Sequence, residues 1–196
     1  MLLAIDSSIG TAVAVVGAQG NCLAQVAVED RRSHAEAIGP LIARALADAT
    51  ATPADITAVV MGVGPGPFTG LRVGMAAAQA FAIGRGVPVL PVLSHDAAAW
   101  DLERETLVVS DARRGELAVT RYVPQPERSF ARREGETYLV SRAEFEQVTH
   151  PESVISLDAI EPCLLARAAL WYQHHGVELS PPHAVYLRAP DVTLPK

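Results

Sequence analysis

The sequence predicts an α/β fold, a mixed β-sheet with helices packed on it, followed by a reduced second lobe. Three observations predict it. Short β-rich segments joined by glycine-containing turns open the chain. Helical and strand patterns then alternate up to about residue 100. What remains of the 196 residues is too short for a second lobe of equal size, so two units are expected, 1–100 and 101–196.

Leu2 to Ile5 is an apolar run stopped by Asp6-Ser7-Ser8-Ile9-Gly10. Thr11 to Val16 is rich in β-branched residues, residues 17–21 read as a turn, and Cys22 to Val28 is a third strand. Such spacing gives an antiparallel meander. Ser33 with Glu36 forms a Ser-x-x-Glu capping box that opens a helix near His34. Ile38, Leu41, Ile42, Ala45 and Leu46 recur at helical spacing, and Pro40 predicts a kink or a late start. Residues 50–55 close this helix with turn chemistry, and Ile56 to Val63 suits a buried parallel strand. A helix over 71–83 follows, ended by Gly84 and Gly86, then a strand over 87–92 and a short helix over 94–100. Beyond it, 106–110 and 117–122 pair as strands, 124–135 reads as charged loop, Ser141 and Glu144 cap a short helix, and 161–175 is a longer one. From Ser180 the chain is extended and proline-rich. The order β-β-β-α-β-α-β-α is that of one lobe of the actin, sugar-kinase and Hsp70 superfamily.

Hydrophobic residues make up 49% and aromatics 5%, so aliphatic packing must hold the core. A net charge of −6 argues against a stand-alone nucleic-acid binder. Basic spots at Arg31–Arg32, Arg113–Arg114 and Arg128 with Arg132–Arg133 read as solvated surface or as a secondary nucleic-acid contact made alongside a partner. Cys22 and Cys163 lie far apart in sequence in no metal or redox motif, which suggests a reducing compartment. The chain runs straight into Leu2-Leu3-Ala4-Ile5 without a leader, and no apolar run approaches the ~20 residues of a membrane span. A cytoplasmic protein with no membrane contact is expected.

The strongest local signal is the loop Gly64-Pro65-Gly66-Pro67-Phe68-Thr69-Gly70 between a strand and a helix. It matches neither the P-loop, which needs a lysine, nor Gly-x-Gly-x-x-Gly, since Gly70 comes one position late. Pro65 and Pro67 offer no amide donor. The loop is either a phosphate cradle or a rigid turn; Gly64, Gly66, Thr69, Gly70 and Arg72 are its candidate nucleotide-proximal residues, with Asp6. Ser8 stands where an acidic phosphate loop would have glycine, so a capped turn around Asp6 is the favoured role. In the next helix Gly70, Gly74, Ala78 and Ala82 form a stripe of small side chains that invites a neighbouring backbone, of another subunit or of a helix within the same chain. None of the six histidines forms His-x-x-x-His, and no Gly-x-Ser-x-Gly elbow is present.

Ile5-Asp6-Ser7-Ser8, His34 with Pro40, the run from Gly64 to Gly74, Asp111-Ala112-Arg113-Arg114-Gly115-Glu116 and the closing Tyr186-Leu187-Arg188 together resemble the bacterial TsaB (YeaZ) family of tRNA threonylcarbamoyladenosine biosynthesis subunits. The match is strong to about residue 120. Pro67 replaces the family's usual serine and Ser7 its usual threonine. The resemblance implies a degenerate actin-like (ASKHA) fold and a non-catalytic subunit. Such a subunit pairs with itself and with a TsaD-type threonylcarbamoyltransferase, is joined by a TsaE-type ATPase, and meets tRNA only indirectly. It implies no cofactor of its own, with ATP or ADP at the level of the complex, and no metal. It also implies pairing through the two helices, for which His34, Ile38, Leu41, Leu71, Gly74, Met75, Ala78 and Ala82 are the candidates. The competing readings are an enzyme in its own right, a metal-dependent peptidase or a nucleotide-using transferase, and a direct tRNA-binding protein, which the acidic balance disfavours.

Overall fold

The first two strands are buried on both faces, which is why they read as nearly continuous apolar runs. In the computed structural model, which describes residues 1–28, 34–126, 128–148 and 151–187, β1 (Leu2–Asp6), β2 (Thr11–Val16) and β3 (Cys22–Val28) form the expected antiparallel meander. α1 (His34–Asp48) starts at His34 with Pro40 inside it, so no late start occurs; the predicted cap Ser33 lies outside the described residues. β4 (Ala58–Gly62) joins β1 in parallel. α2 (Phe68–Arg85) begins before the expected Leu71, runs through Gly84, and stops at Gly86, whose left-handed φ of 66° a glycine adopts without strain. β5 (Val89–Val92) completes a sheet of order β3-β2-β1-β4-β5. The expected short helix over 94–100 is a 3-10 turn, Ser94–Ala98.

β6 (Thr106–Asp111) and β7 (Glu116–Gln125) pair antiparallel, as the sequence suggested. The stretch read as a charged loop is instead largely strand: β8 (Arg128–Ser141) pairs with β7 along its length. As an edge strand it exposes Arg132, Glu134 and Glu136 while burying Phe130 and Ala131, and register shifts accommodate Pro124. Ser141 and Glu144 form their reciprocal capping box at α3 (Arg142–Gln147). β9 (Ser153–Leu157), missed in the sequence, lies parallel to β6 and closes the order β8-β7-β6-β9. α4 (Pro162–His175) ends at Gly176 in the left-handed region.

Alternation along β1 divides the core. Leu3 and Ile5, with Val13, Val15, Val59 and Met61, face α1 and α2. Leu2 and Ala4, with Ala14, Val16, Val60 and Leu90, face the opposite side, where Leu165, Ala166, Ala169 and Tyr172 of α4 cover them. Thus α4, late in the sequence, returns to the first sheet. α3 covers the far side of the second sheet, where Phe145 packs against Leu107, Val109, Leu117 and Val119.

One consequence corrects the cysteine reading. Cys22 on β3 and Cys163 in the first turn of α4 are bonded across 141 residues, with Cα atoms 5.6 Å apart. The return of α4 brings together two thiols that sequence distance had kept apart, so their separation is no argument for a reducing compartment. Reduction is expected to lower stability by about 3 kcal/mol, read as a fall in Tm of roughly 10 °C. Cys22→Ser should reproduce that fall and make the protein indifferent to reductant; an unchanged Tm on reduction would contradict a stabilising bridge.

Candidate functional site

Asp6 ends β1, at the carboxyl edge of the sheet where open α/β sheets place their ligands. Its carboxylate is fully engaged. Oδ1 accepts the Ser8 amide at 2.8 Å and the Ser8 hydroxyl at 2.6 Å, and Oδ2 accepts the Ser94 hydroxyl. Asp6 is 2% exposed, and burial pushes its pKa up against the pull of these bonds. Ser94 is also locked to the glycine loop: its hydroxyl accepts the Gly64 amide at 3.0 Å and its own amide donates to the Gly64 carbonyl at 2.7 Å. Gly66 lies so close over Ser8 that an added Cβ would sit 2.7 Å from the Ser8 Cα. The capped-turn expectation for Asp6 therefore holds. Covered by the loop and spent on hydroxyls, this carboxylate does not fit a metal-bound phosphate. Among the described residues no group of three His, Cys, Asp or Glu side chains is arranged to hold a metal.

Ser7 joins the same turn to α2. Its hydroxyl donates to the Gly70 carbonyl at 2.7 Å and accepts the Gly74 amide at 3.0 Å, so it sits between two groups one helical turn apart. A Cβ on Gly74 would lie 2.2 Å from the Ser7 Oγ, and one on Gly70 would lie 2.6 Å from His34 Nε2. His34 is half-buried, with its Nδ1 2.7 Å from the Thr11 hydroxyl. The small stripe Gly70-Gly74-Ala78-Ala82 thus faces inward, against Ser7, His34 and the sheet. Ile38, Leu41, Leu71, Gly74, Met75, Ala78 and Ala82 are all buried within the chain, so of the eight candidate pairing residues only His34 reaches the surface. The surface of these helices consists of other residues. On α1 the exposed Ala35, Gly39, Ala43 and Ala47 follow one another every fourth position; on α2 Arg72, Ala76, Ala80 and Gly84 do the same beside Ile83, which is 81% exposed.

Of the remaining loop candidates, Thr69 is exposed and Arg72 is turned to the chain's own tail. Arg72 Nε donates to the Tyr186 hydroxyl at 2.6 Å, its guanidinium lies 3.8 Å from the Phe68 ring centre, and Phe68 stacks on Tyr186. Pro65, Phe68, Arg113, Arg114, Val185 and Tyr186 border a cavity of about 470 Å³ between the two sheets.

Sequence reasoning missed a buried polar knot between the sheets. His95 Nε2 lies 2.8 Å from the Ser110 hydroxyl and Nδ1 lies 2.8 Å from that of Thr120. Next to it, Asp96 accepts the Tyr122 hydroxyl at 2.7 Å and the Tyr172 hydroxyl at 2.9 Å. Burial raises the Asp96 pKa, opposed by the Arg133 charge and by both tyrosines. The run Ser94-His95-Asp96 within an apolar stretch was the available signal. Ser110 and His95 have the spacing of a nucleophile and base. However, His95 has a threonine where a triad has a carboxylate, and burial depresses its pKa to about 3, so it is a poor acceptor for a serine proton.

A family model described as TsaD, tRNA N6-adenosine threonylcarbamoyltransferase, matches residues 22–185. The chain belongs to that family. Its resemblance to TsaB is also supported: the tRNA threonylcarbamoyladenosine biosynthesis protein TsaB of Haemophilus influenzae is 35% identical over 131 residues, 64% of this chain and 54% of that protein. An uncharacterised protein of Mycobacterium tuberculosis is 54% identical over 93 residues, 47% of this chain and 44% of its own length. The matched stretch therefore spans about half the length of these relatives. The solved structure of an uncharacterised protein with similarity to peptidase YeaZ from Pseudomonas aeruginosa superimposes with a TM-score of 0.76 at 24% identity, covering 95% of this chain and 99% of that one. That likeness establishes a shared fold of two mixed sheets and flanking helices. Within the TsaD family, then, this chain is similar to TsaB in sequence and shares the fold of the YeaZ-like structure.

Proposed function

We propose that this TsaB-type chain is a non-catalytic pairing subunit in tRNA threonylcarbamoyladenosine biosynthesis. It binds itself and a TsaD-type threonylcarbamoyltransferase through the outer faces of α1 and α2, in a cytoplasmic complex that a TsaE-type ATPase joins. The observation that carries the reading is that outer face. Two neighbouring helices leave small residues at four-residue spacing in solvent, and an added Cβ at Gly39 or Gly84 would meet nothing within 4 Å. A second backbone can approach such a surface closely, with Ile83 as an apolar anchor.

Other features support the rest. The three-stranded meander followed by parallel strands is the order of an actin-like lobe, and a division near residue 100 separates the strands of the two sheets, while α4 packs on the first. The closed Asp6 turn and the weak base His95 favour a chain that leaves chemistry to its partner. ATP or ADP then belongs to the assembled complex. The cytoplasmic placement rests on the tRNA substrate of the pathway. No helix among the described residues is long and apolar enough to cross a membrane.

The test is association state by light scattering, alone and with a TsaD-type subunit, for the wild type and for Ile83→Asp. Wild type is expected to pair. A charge placed on this face is expected to weaken pairing by about 2 kcal/mol, some thirty-fold, with unchanged circular dichroism. Pairing as tight as wild type in the variant would remove this face from the interface.

A further inference from the structure

On the side of the molecule opposite α1 and α2, a shallow basin of about 390 Å³ lies between the turn at Ala18–Gly20 and the outer side of α4. Both tryptophans of the chain line it, Trp100 and Trp171. The Arg167 guanidinium lies 4.3 Å from the Trp100 ring centre, and the His175 imidazole stacks on Trp171 with centroids 4.2 Å apart. His175 Nδ1 donates to the Trp171 carbonyl at 2.9 Å, which fixes the ring against the indole. His174 is exposed beside it, and Arg128 stands 5.7 Å from the Trp171 ring centre.

Two features of this basin are out of keeping with the rest of the chain. The chain carries 22 acidic and 16 basic residues, yet among the described residues no carboxylate lines the basin. The chain is poor in aromatics, yet here indole, imidazole and guanidinium planes gather on one partly exposed surface. Flat rings flanked by cations are what an unstacked nucleobase and its phosphate require: the base stacks on a ring, and the guanidinium meets the backbone. An apolar protein partner would ask for the opposite, aliphatic area without charge at its centre.

We propose that this basin takes an unpaired nucleotide of single-stranded RNA, so that the chain contacts RNA directly through α4. The proposal rests on the tRNA-modification reading only for the identity of the RNA; the chemistry of the basin stands without it. It also revises the expectation of purely indirect tRNA contact. The overall negative charge does not oppose it, because the described acidic groups lie outside the basin and screening confines their effect to about 8 Å at physiological salt.

Because both tryptophans line the basin, intrinsic fluorescence reads occupancy directly. The intact protein is titrated with a short oligoadenylate at low and at physiological salt. Saturable quenching that weakens as salt rises is expected. Arg167→Gln, and Gln19→Glu on the exposed turn, should each weaken binding about ten-fold while circular dichroism stays native. Unchanged emission overturns the proposal. So does adenosine monophosphate binding as tightly as the oligomer, which would make the basin a small-molecule site. Quenching by a TsaD-type subunit that oligoadenylate cannot displace also overturns it, since the surface would then belong to a protein. Pairing is read separately by light scattering, so failure here leaves the pairing reading intact, and failure there leaves this one.

Discussion

Gly74→Leu is expected to unfold the chain rather than to separate a dimer. The smallest side chain at this position already places its Cβ 2.2 Å from the Ser7 hydroxyl and 2.9 Å from the Ser7 Cβ. Ser7 cannot yield, because its hydroxyl bonds the Gly70 carbonyl and the Gly74 amide and its neighbours carry the Asp6 turn. Overpacking a site with no free rotamer should cost at least about 4 kcal/mol. Chemical denaturation with circular dichroism checks it, and Gly39→Ala and Gly84→Ala serve as controls. Both lie inside helices with open space around an added Cβ, so each should stabilise by about 0.5–1 kcal/mol. A folded, monomeric Gly74→Leu would show instead that the inward stripe is itself an interface.

Acid is expected to destabilise the protein through His95. The unfolded imidazole titrates near 6.5, whereas burial holds the folded one at about 3. Between those values the unfolded chain binds the proton and the folded chain does not. Stability from this group is therefore complete above pH 6.5 and is lost as pH falls toward 3, by up to about 5 kcal/mol. Asp6 and Asp96 act in the opposite direction: burial raises both, so the folded chain keeps their protons above 3.8 and gains relative stability as pH falls through their folded values. His95→Gln isolates the histidine contribution, since an amide still offers a donor and an acceptor to Ser110 and Thr120. Urea unfolding at a series of pH values should show a steeper acid loss in wild type than in His95→Gln. Parallel curves would mean that neutral burial of His95 is not the source.

Much of the first unit was legible because its signals are local. Runs such as Leu2–Ile5 can only be satisfied between two layers, and the helical spacing from Ile38 to Leu46 needs no knowledge of the rest of the chain. The capping box at Ser141 and the glycine stop at Gly86 are written within a few residues each. The edge strand β8 was misread because an edge tolerates charge on its solvent side, which makes it look like loop. In the candidate site, Asp6, Gly64 and Gly66, grouped in the sequence as nucleotide-proximal candidates, do come together, but as a closed turn around Ser8 and Ser94.

By itself the sequence determined the order of the elements to about residue 100, the apolar face of α1, and the family resemblance, because periodicity and short motifs are properties of neighbouring residues. Only the tertiary structure decided which way the Gly70-Gly74-Ala78-Ala82 stripe faces. A helix apolar on most sides has no preferred inward direction until a partner such as Ser7 fits against one of them. The Cys22–Cys163 bridge, the His95 and Asp96 knot and the Trp100–Trp171 basin were likewise settled by the return of α4 and the docking of the second sheet. These contacts join residues far apart in sequence, and no local pattern records a distance that closes only when two layers pack.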